Sequence, residues 1–145
     1  MREVRLIQSD DLEAMLPIYN QHAKVLTSRG FKYSLDTLKS WFDTIEENGY
    51  EYYGLFDSSK LEGFVYFEKF PDGFRLAGIA IDNKNRGKGF GKIMLNFSKN
   101  KIGTQNLFCE VMISNFQALN FFIKEGFKIT EYLKEDQEYR LVLSK

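Results

Sequence analysis

The chain has 145 residues, in which twenty Lys and Arg balance twenty Asp and Glu, with one histidine and one cysteine. Its 43% apolar and 28% charged residues are those of a folded globular protein, and a chain of this length predicts one core and one domain over residues 1–145. Zero net charge argues against a non-specific binder of nucleic acid or of an anionic membrane. Cys109 alone excludes an internal disulfide, and with a single histidine it excludes a sulfur/imidazole zinc site, so no metal is expected. The charged start Met1-Arg2-Glu3-Val4-Arg5 predicts no signal peptide, and no apolar run approaches the ~18 residues of a membrane span. The expectation is a cytoplasmic protein.

In chain order, Glu3–Ile7 alternates as a short strand, and Ser9-Asp10-Asp11 opens a helix with Asp10 and Glu13 spaced as a capping box. Leu12, Met15, Leu16, Tyr19, Ala23 and Leu26 continue at helical spacing, and Pro17 should kink or break this helix. Ser28-Arg29-Gly30 reads as a loop, and residues 34–48 as a second helix closed by Gly49. Tyr52–Phe56 and Leu61–Phe67 flank the polar turn Asp57-Ser58-Ser59-Lys60 as a hairpin. Phe74–Ile81 is a mostly apolar strand, as burial on both faces requires. A loop from Arg86 to Gly91 opens a helix to about Lys101, followed by a strand at Asn106–Met112 and a helix at Asn115–Lys124 capped by Gly126. Phe127–Leu133 and Glu138–Leu143 are the last two strands. The pattern predicts an α/β or α+β architecture of helices on a mixed sheet.

Charge is uneven along the chain. Residues 1–72 carry 13 acids and 8 bases, and residues 73–145 carry 7 acids and 12 bases. The basic surplus surrounds Asp82-Asn83-Lys84-Asn85-Arg86-Gly87-Lys88-Gly89-Phe90-Gly91-Lys92, between a strand and a helix. Free N–H groups at a helix start, glycines without Cβ and cationic side chains together make an anion site for a small molecule. A solvated basic face preceded by an ordinary turn is the plainer alternative. A Walker A loop fails here, because Arg86 and Ile93 stand where Gly and Ser/Thr are needed. A dinucleotide G-x-G-x-x-G fails in both registers, at Lys92 and at Met94.

What remains is Arg-x-x-Gly-x-Gly, Arg86 to Gly91, and it resembles the acyl-CoA pyrophosphate turn of the GNAT superfamily of N-acetyltransferases. The preceding strand, Leu76 to Asp82, is similar to the one that leads into that turn. Downstream, Glu110-Val111, Asn115, Ala118 and the closing Gly126-Phe127 resemble the family's next strand and helix, so that the likeness covers about residues 74–133. The resemblance implies a mixed, mostly antiparallel sheet, splayed at the cofactor site and flanked by about four helices, with acetyl-CoA as co-substrate. It implies that Ile79, Ala80 and Ile81 pair through their backbone with the pantetheine arm, the Ile81 N–H being the oxyanion donor. Arg86, Gly87, Lys88, Gly89, Gly91 and Lys92 would hold the pyrophosphate. Asn115 would bond the cofactor, although its position equally fits a helix cap. Glu110 matches the base that some members use, protein N-terminal acetyltransferases among them; the alternative is a surface acid on a strand. An amine acceptor arrives as an ammonium with pKa about 10 and needs such a base.

The sequence departs from the family at Phe122, where many members carry a tyrosine that protonates the leaving thiolate. Phe122 can pack against a cofactor but cannot donate a proton. The acceptor site is expected from Tyr19 to Tyr33, with the hairpin and final strands as walls. Ile18-Tyr19-Asn20 with Trp41-Phe42 is similar to phosphinothricin-type acetyltransferases, and the same residues fit a core. His22 reads as an exposed helix residue, and Cys109, alternating with Glu110, as a buried one. The implied activity is acetyl transfer to a small-molecule amine, an amino acid or a peptide N-terminus, by a monomer or homodimer. A non-catalytic acyl-CoA sensor or docking module is the alternative that the missing tyrosine supports.

Overall fold

The apolar runs become strands of one sheet, each satisfying its backbone against a neighbour. The computed structural model describes residues 1–26 and 30–143. β1 (Arg2–Leu6) pairs antiparallel with β2 (Tyr50–Asp57), and β2 turns at Ser58-Ser59 into β3 (Lys60–Phe70). β4 (Gly73–Ile81) follows antiparallel to β3. β5 (Asn106–Met112) lies parallel to β4, and β6 (Phe127–Leu133) and β7 (Glu138–Leu143) complete the order β1-β2-β3-β4-β5-β7-β6. The sheet is therefore mixed, mostly antiparallel and open, as the resemblance implied. The last three strands have the bounds that the sequence predicted.

Helices cover both faces. Beneath α4 (Phe90–Ile102) and α5 (Phe116–Lys124) lies a core of Val65, Phe67, Leu76, Met94, Leu95, Cys109 and Leu141. Beneath α1 (Leu12–Gln21) and α3 (Leu35–Phe42) lies a second, of Met15, Ile18, Leu38, Tyr52, Phe64, Tyr66 and Ala80. A short α2 (Ala23–Leu26) follows α1 after a break at His22. Because both faces are covered, β3 is buried without interruption from Leu61 to Phe67. Among the described residues no helix is long and apolar enough to cross a membrane.

Four local expectations give way. α1 is not broken at Pro17, which forfeits one ladder bond in the helix interior, and the break falls at His22 instead. The reciprocal cap uses Asp11 rather than the Asp10/Glu13 pair: the Gln8 N–H donates to the Asp11 carboxylate at 2.8 Å, and Arg5 donates to the same group at 3.0 Å. The helix expected over residues 34–48 stops at Phe42. There the Thr44 hydroxyl donates to the Trp41 carbonyl at 2.9 Å, a local bond that competes with the helical ladder, while Ile45 still reaches the core. The first strand is Arg2–Leu6 rather than Glu3–Ile7, a one-residue shift. Of the loop read at Ser28-Arg29-Gly30, Ser28 and Arg29 lie outside the described residues.

Candidate active site

β4 and β5 pair only from Gly73–Asn106 to Arg75–Phe108. Beyond that point they diverge, and the facing edges keep N–H and C=O groups for another partner. The Asp82 N–H donates to Glu62 O on the β3 side at 3.0 Å. Strand alternation therefore turns the N–H and C=O of Ile81 into the opening. One of these positions is already used, since His22 Nε2–H donates to Ile81 O at 2.7 Å. His22 is half-buried at the mouth of the cleft, not the exposed helix residue that periodicity suggested. Its neighbour Gln21 ties down the following turn by accepting from the Asn83 N–H at 2.8 Å.

That turn leads into α4. Asp82 caps it by accepting from the Lys84 N–H at 3.3 Å. Gly87 and Gly89 stand at φ +77° and +79°, where a side chain is strained even though a Cβ would meet nothing within 4 Å. The first helical bond of α4 is from Ile93 N–H to Gly89 O at 3.2 Å, so the N–H groups of Phe90, Gly91 and Lys92 have no intrahelical partner. Donors, positive dipole end and open space above the glycines fit a phosphate-bearing ligand approached through main chain.

A cavity of about 470 Å³ runs from this turn along the β4 edge to α5. It brings together Ile79, Ile81, Arg86, Gly87, Gly89, Gly91 and Lys92 with Asn115 and Phe122. Arg86 has no acidic partner among the described residues, whereas Lys92 stands 4.0 Å from Glu125. Lys88 does not line the cavity, and its ammonium donates at 3.2 Å to Oδ1 of Asn85, which does. Ala80 is also apart, its side chain buried in the α1–α3 core. Asn115 caps α5 by accepting from the Ala118 N–H at 3.2 Å, and it lines the cavity from that position. Phe122 is 4% exposed, set edge-on against Phe121 and Phe127, and Phe121, its neighbour in sequence, is a further wall.

A smaller cavity of about 90 Å³ adjoins the first, sharing Ile79, Asn115 and Phe122, and Glu110 opens into it. The Glu110 side chain is 20% exposed, accepts from Arg140 Nη2 at 2.8 Å and faces Arg75 Nη1 at 4.0 Å. Arg75 also donates to Glu68 at 2.9 Å. Burial opposes the charge of Arg75, but Glu68, followed by Tyr50 and Glu110, more than offsets it and raises its pKa. Glu138 lines the same cavity, and its carboxyl is pushed up by burial, by Glu110 and by Asp136, against the opposing charge of Arg75. Cys109 points the other way, 1% exposed, and burial followed by the Glu110 charge pushes its thiol up to about 12. Tyr19 and Asn20, expected at the acceptor site, serve packing. Tyr19 stacks on Tyr33 at 5.0 Å, and Asn20 holds the Tyr33 backbone through two bonds at 2.8 and 3.0 Å.

A family model described as an acetyltransferase (GNAT) domain matches residues 48–129, more than half of the chain. No curated protein matches the sequence. Among solved structures, the PaiA N-acetyltransferase of Thermoplasma acidophilum in complex with coenzyme A is similar at TM-score 0.77 and 19% identity, over 100% of this chain and 99% of that one. The ribosomal-protein-S18-alanine N-acetyltransferase of Escherichia coli is similar at TM-score 0.72 and 21% identity, over 98% and 91%. A phosphinothricin acetyltransferase of Sinorhizobium meliloti in complex with AcCoA is similar at TM-score 0.77 and 19% identity, over 97% and 86%. At such identities the likeness is one of fold.

Proposed function

Because the chain belongs to the GNAT acetyltransferase family, we propose that it moves an acetyl group from acetyl-CoA to a primary amine by direct attack. The observation that carries this reading is the continuous opening between β4 and β5, which runs from unpaired main-chain donors at the start of α4 to a carboxylate at its inner end. Bound acetyl-CoA supplies the activated acyl thioester. The α4 N–H groups, Gly87, Gly89 and Arg86 hold its phosphates, and the free edge of Ile79 and Ile81 holds the arm, with the Ile81 N–H supporting developing negative charge. Glu110 meets the acceptor's ammonium and draws off its proton. The freed amine forms the new C–N bond as the C–S bond breaks, and its second proton passes to the departing sulfur or to water. Phe122 has no hydroxyl to give, and a thiolate leaves without one because a thiol ionises near pKa about 8.5.

The test is release of CoA thiol from acetyl-CoA with three probes: spermidine, phosphinothricin and an alanine-initiated peptide. Release with at least one probe, together with a thermal midpoint raised by acetyl-CoA and much less by ATP or NAD, supports the reading. Binding without release from any probe would favour the sensor alternative, and equal shifts from all three cofactors would remove the assignment.

A further inference from the structure

We infer that Glu138 is a second carboxylate of the acceptor site and the group onto which the acceptor's proton finally passes. This rests on the transferase reading above. Glu138 begins β7 opposite Met112 of β5, two residues from Arg140, which stands opposite Glu110. Because side chains alternate along a strand, Glu110, Glu138 and Arg140 share one face of the sheet. Cys109, Val111 and Leu141 take the other, packed in the α4–α5 core. Glu138 and Glu110 line one cavity together with Ile79 and Phe122. Continuing the parallel register from Arg75–Phe108 sets Met112, and with it Glu138, at the level of Ile79, while Glu110 lies deeper, nearer the point where the strands rejoin.

The two acids have different surroundings. Both Glu110 oxygens face guanidiniums, Arg140 at 2.8 Å and Arg75 at 4.0 Å, so a proton resting there competes for lone pairs already in use. Glu138 makes no ion pair among the described residues. The charged groups acting on it are Glu110 of β5, Asp136 of the β6–β7 turn and Arg75 of β4. Burial and the two like charges raise its pKa, which suits a group that must take a proton and release it again. Glu110 thus draws the ammonium into the cavity. The proton that Glu110 draws off passes on to a Glu138 oxygen, leaving a neutral amine and a carboxylic acid at Glu138, and then leaves to water on the half-buried side.

The experiment compares kcat/KM of wild type, Glu138→Gln and Glu138→Asp from neutral to alkaline pH, with whichever of the three probes releases CoA thiol. The expected result is a loss of about 10- to 100-fold in Glu138→Gln near neutral pH, closing as pH approaches the amine's own pKa. Glu138→Asp should recover part of the rate, and acetyl-CoA affinity should stay within about twofold of wild type, since the phosphate-binding turn is untouched. Wild-type rates in Glu138→Gln would overturn the inference. So would a loss of equal size at every pH that Glu138→Asp does not relieve, which marks a packing role. A wild-type protein that binds acetyl-CoA and releases thiol with no probe would overturn the transferase reading itself, and the inference with it.

Discussion

The two ends of the cleft are made of different material. At the α4 end the hydrogen-bond donors left without a partner come from one stretch, Ile81 to Lys92, and most of them are main chain. At the other end Arg75, Glu110, Glu138 and Arg140 converge from three strands, and every one acts through its side chain. A site made of backbone depends on conformation and tolerates side-chain change except where φ is positive. A site made of converging charges depends on each residue, because removing one leaves its partners exposed to a different field.

This contrast can be broken most severely at Glu110. Replacing it with glutamine should lower kcat/KM by roughly 10²–10⁴ near neutral pH, with a smaller loss in alkali and little change in acetyl-CoA affinity. A loss that stays constant with pH would assign Glu110 a purely structural part between Arg75 and Arg140. The opposite pattern is expected from Gly89→Val. At φ +79° a branched residue is strained by about 1–2 kcal/mol or more. The acetyl-CoA-induced rise in thermal midpoint should therefore disappear while circular dichroism shows a folded protein.

A smaller effect is expected at Phe122, which borders both cavities. Phe122→Tyr should change turnover by less than about tenfold, because the thiolate leaves without an acid. A hundredfold gain would show instead that a needed acid has been lost, and would favour the sensor alternative. Phe122→Ala should weaken acetyl-CoA binding and lower stability by about 3–5 kcal/mol in urea titrations, as truncation of a buried aromatic does. The smallest effect concerns Cys109, the neighbour of Glu110 in sequence but on the opposite face. With its thiol raised to about 12, Cys109 should not react with a disulfide reagent at mildly alkaline pH until the protein unfolds. Rapid labelling of the native protein would contradict that placement.

The α4 end was legible in the sequence, because Arg86 to Gly91 is contiguous and its glycines declare their own conformation. The strands from Asn106 to Leu143 were legible to the residue, since turn chemistry bounds each apolar run. His22 was misread as exposed, because helical spacing carries no sign that a break in the helix would deliver its ring to the Ile81 carbonyl. The second helix was read as too long, because Ile45 keeps the spacing of a helix face after the backbone has left it. Nothing in the spacing of Arg75, Glu110, Glu138 and Arg140 announces that they meet.

Composition, the strand-to-helix glycine turn and the family to which it belongs were set by residues close in sequence, where backbone preference and local hydrogen bonding decide the structure. The separation of β4 from β5, the guanidinium clamp on Glu110 and the approach of Glu138 were decided only by tertiary structure. Each depends on the register between strands distant in the chain, and register is fixed by burial of one face of the whole sheet rather than by any single segment.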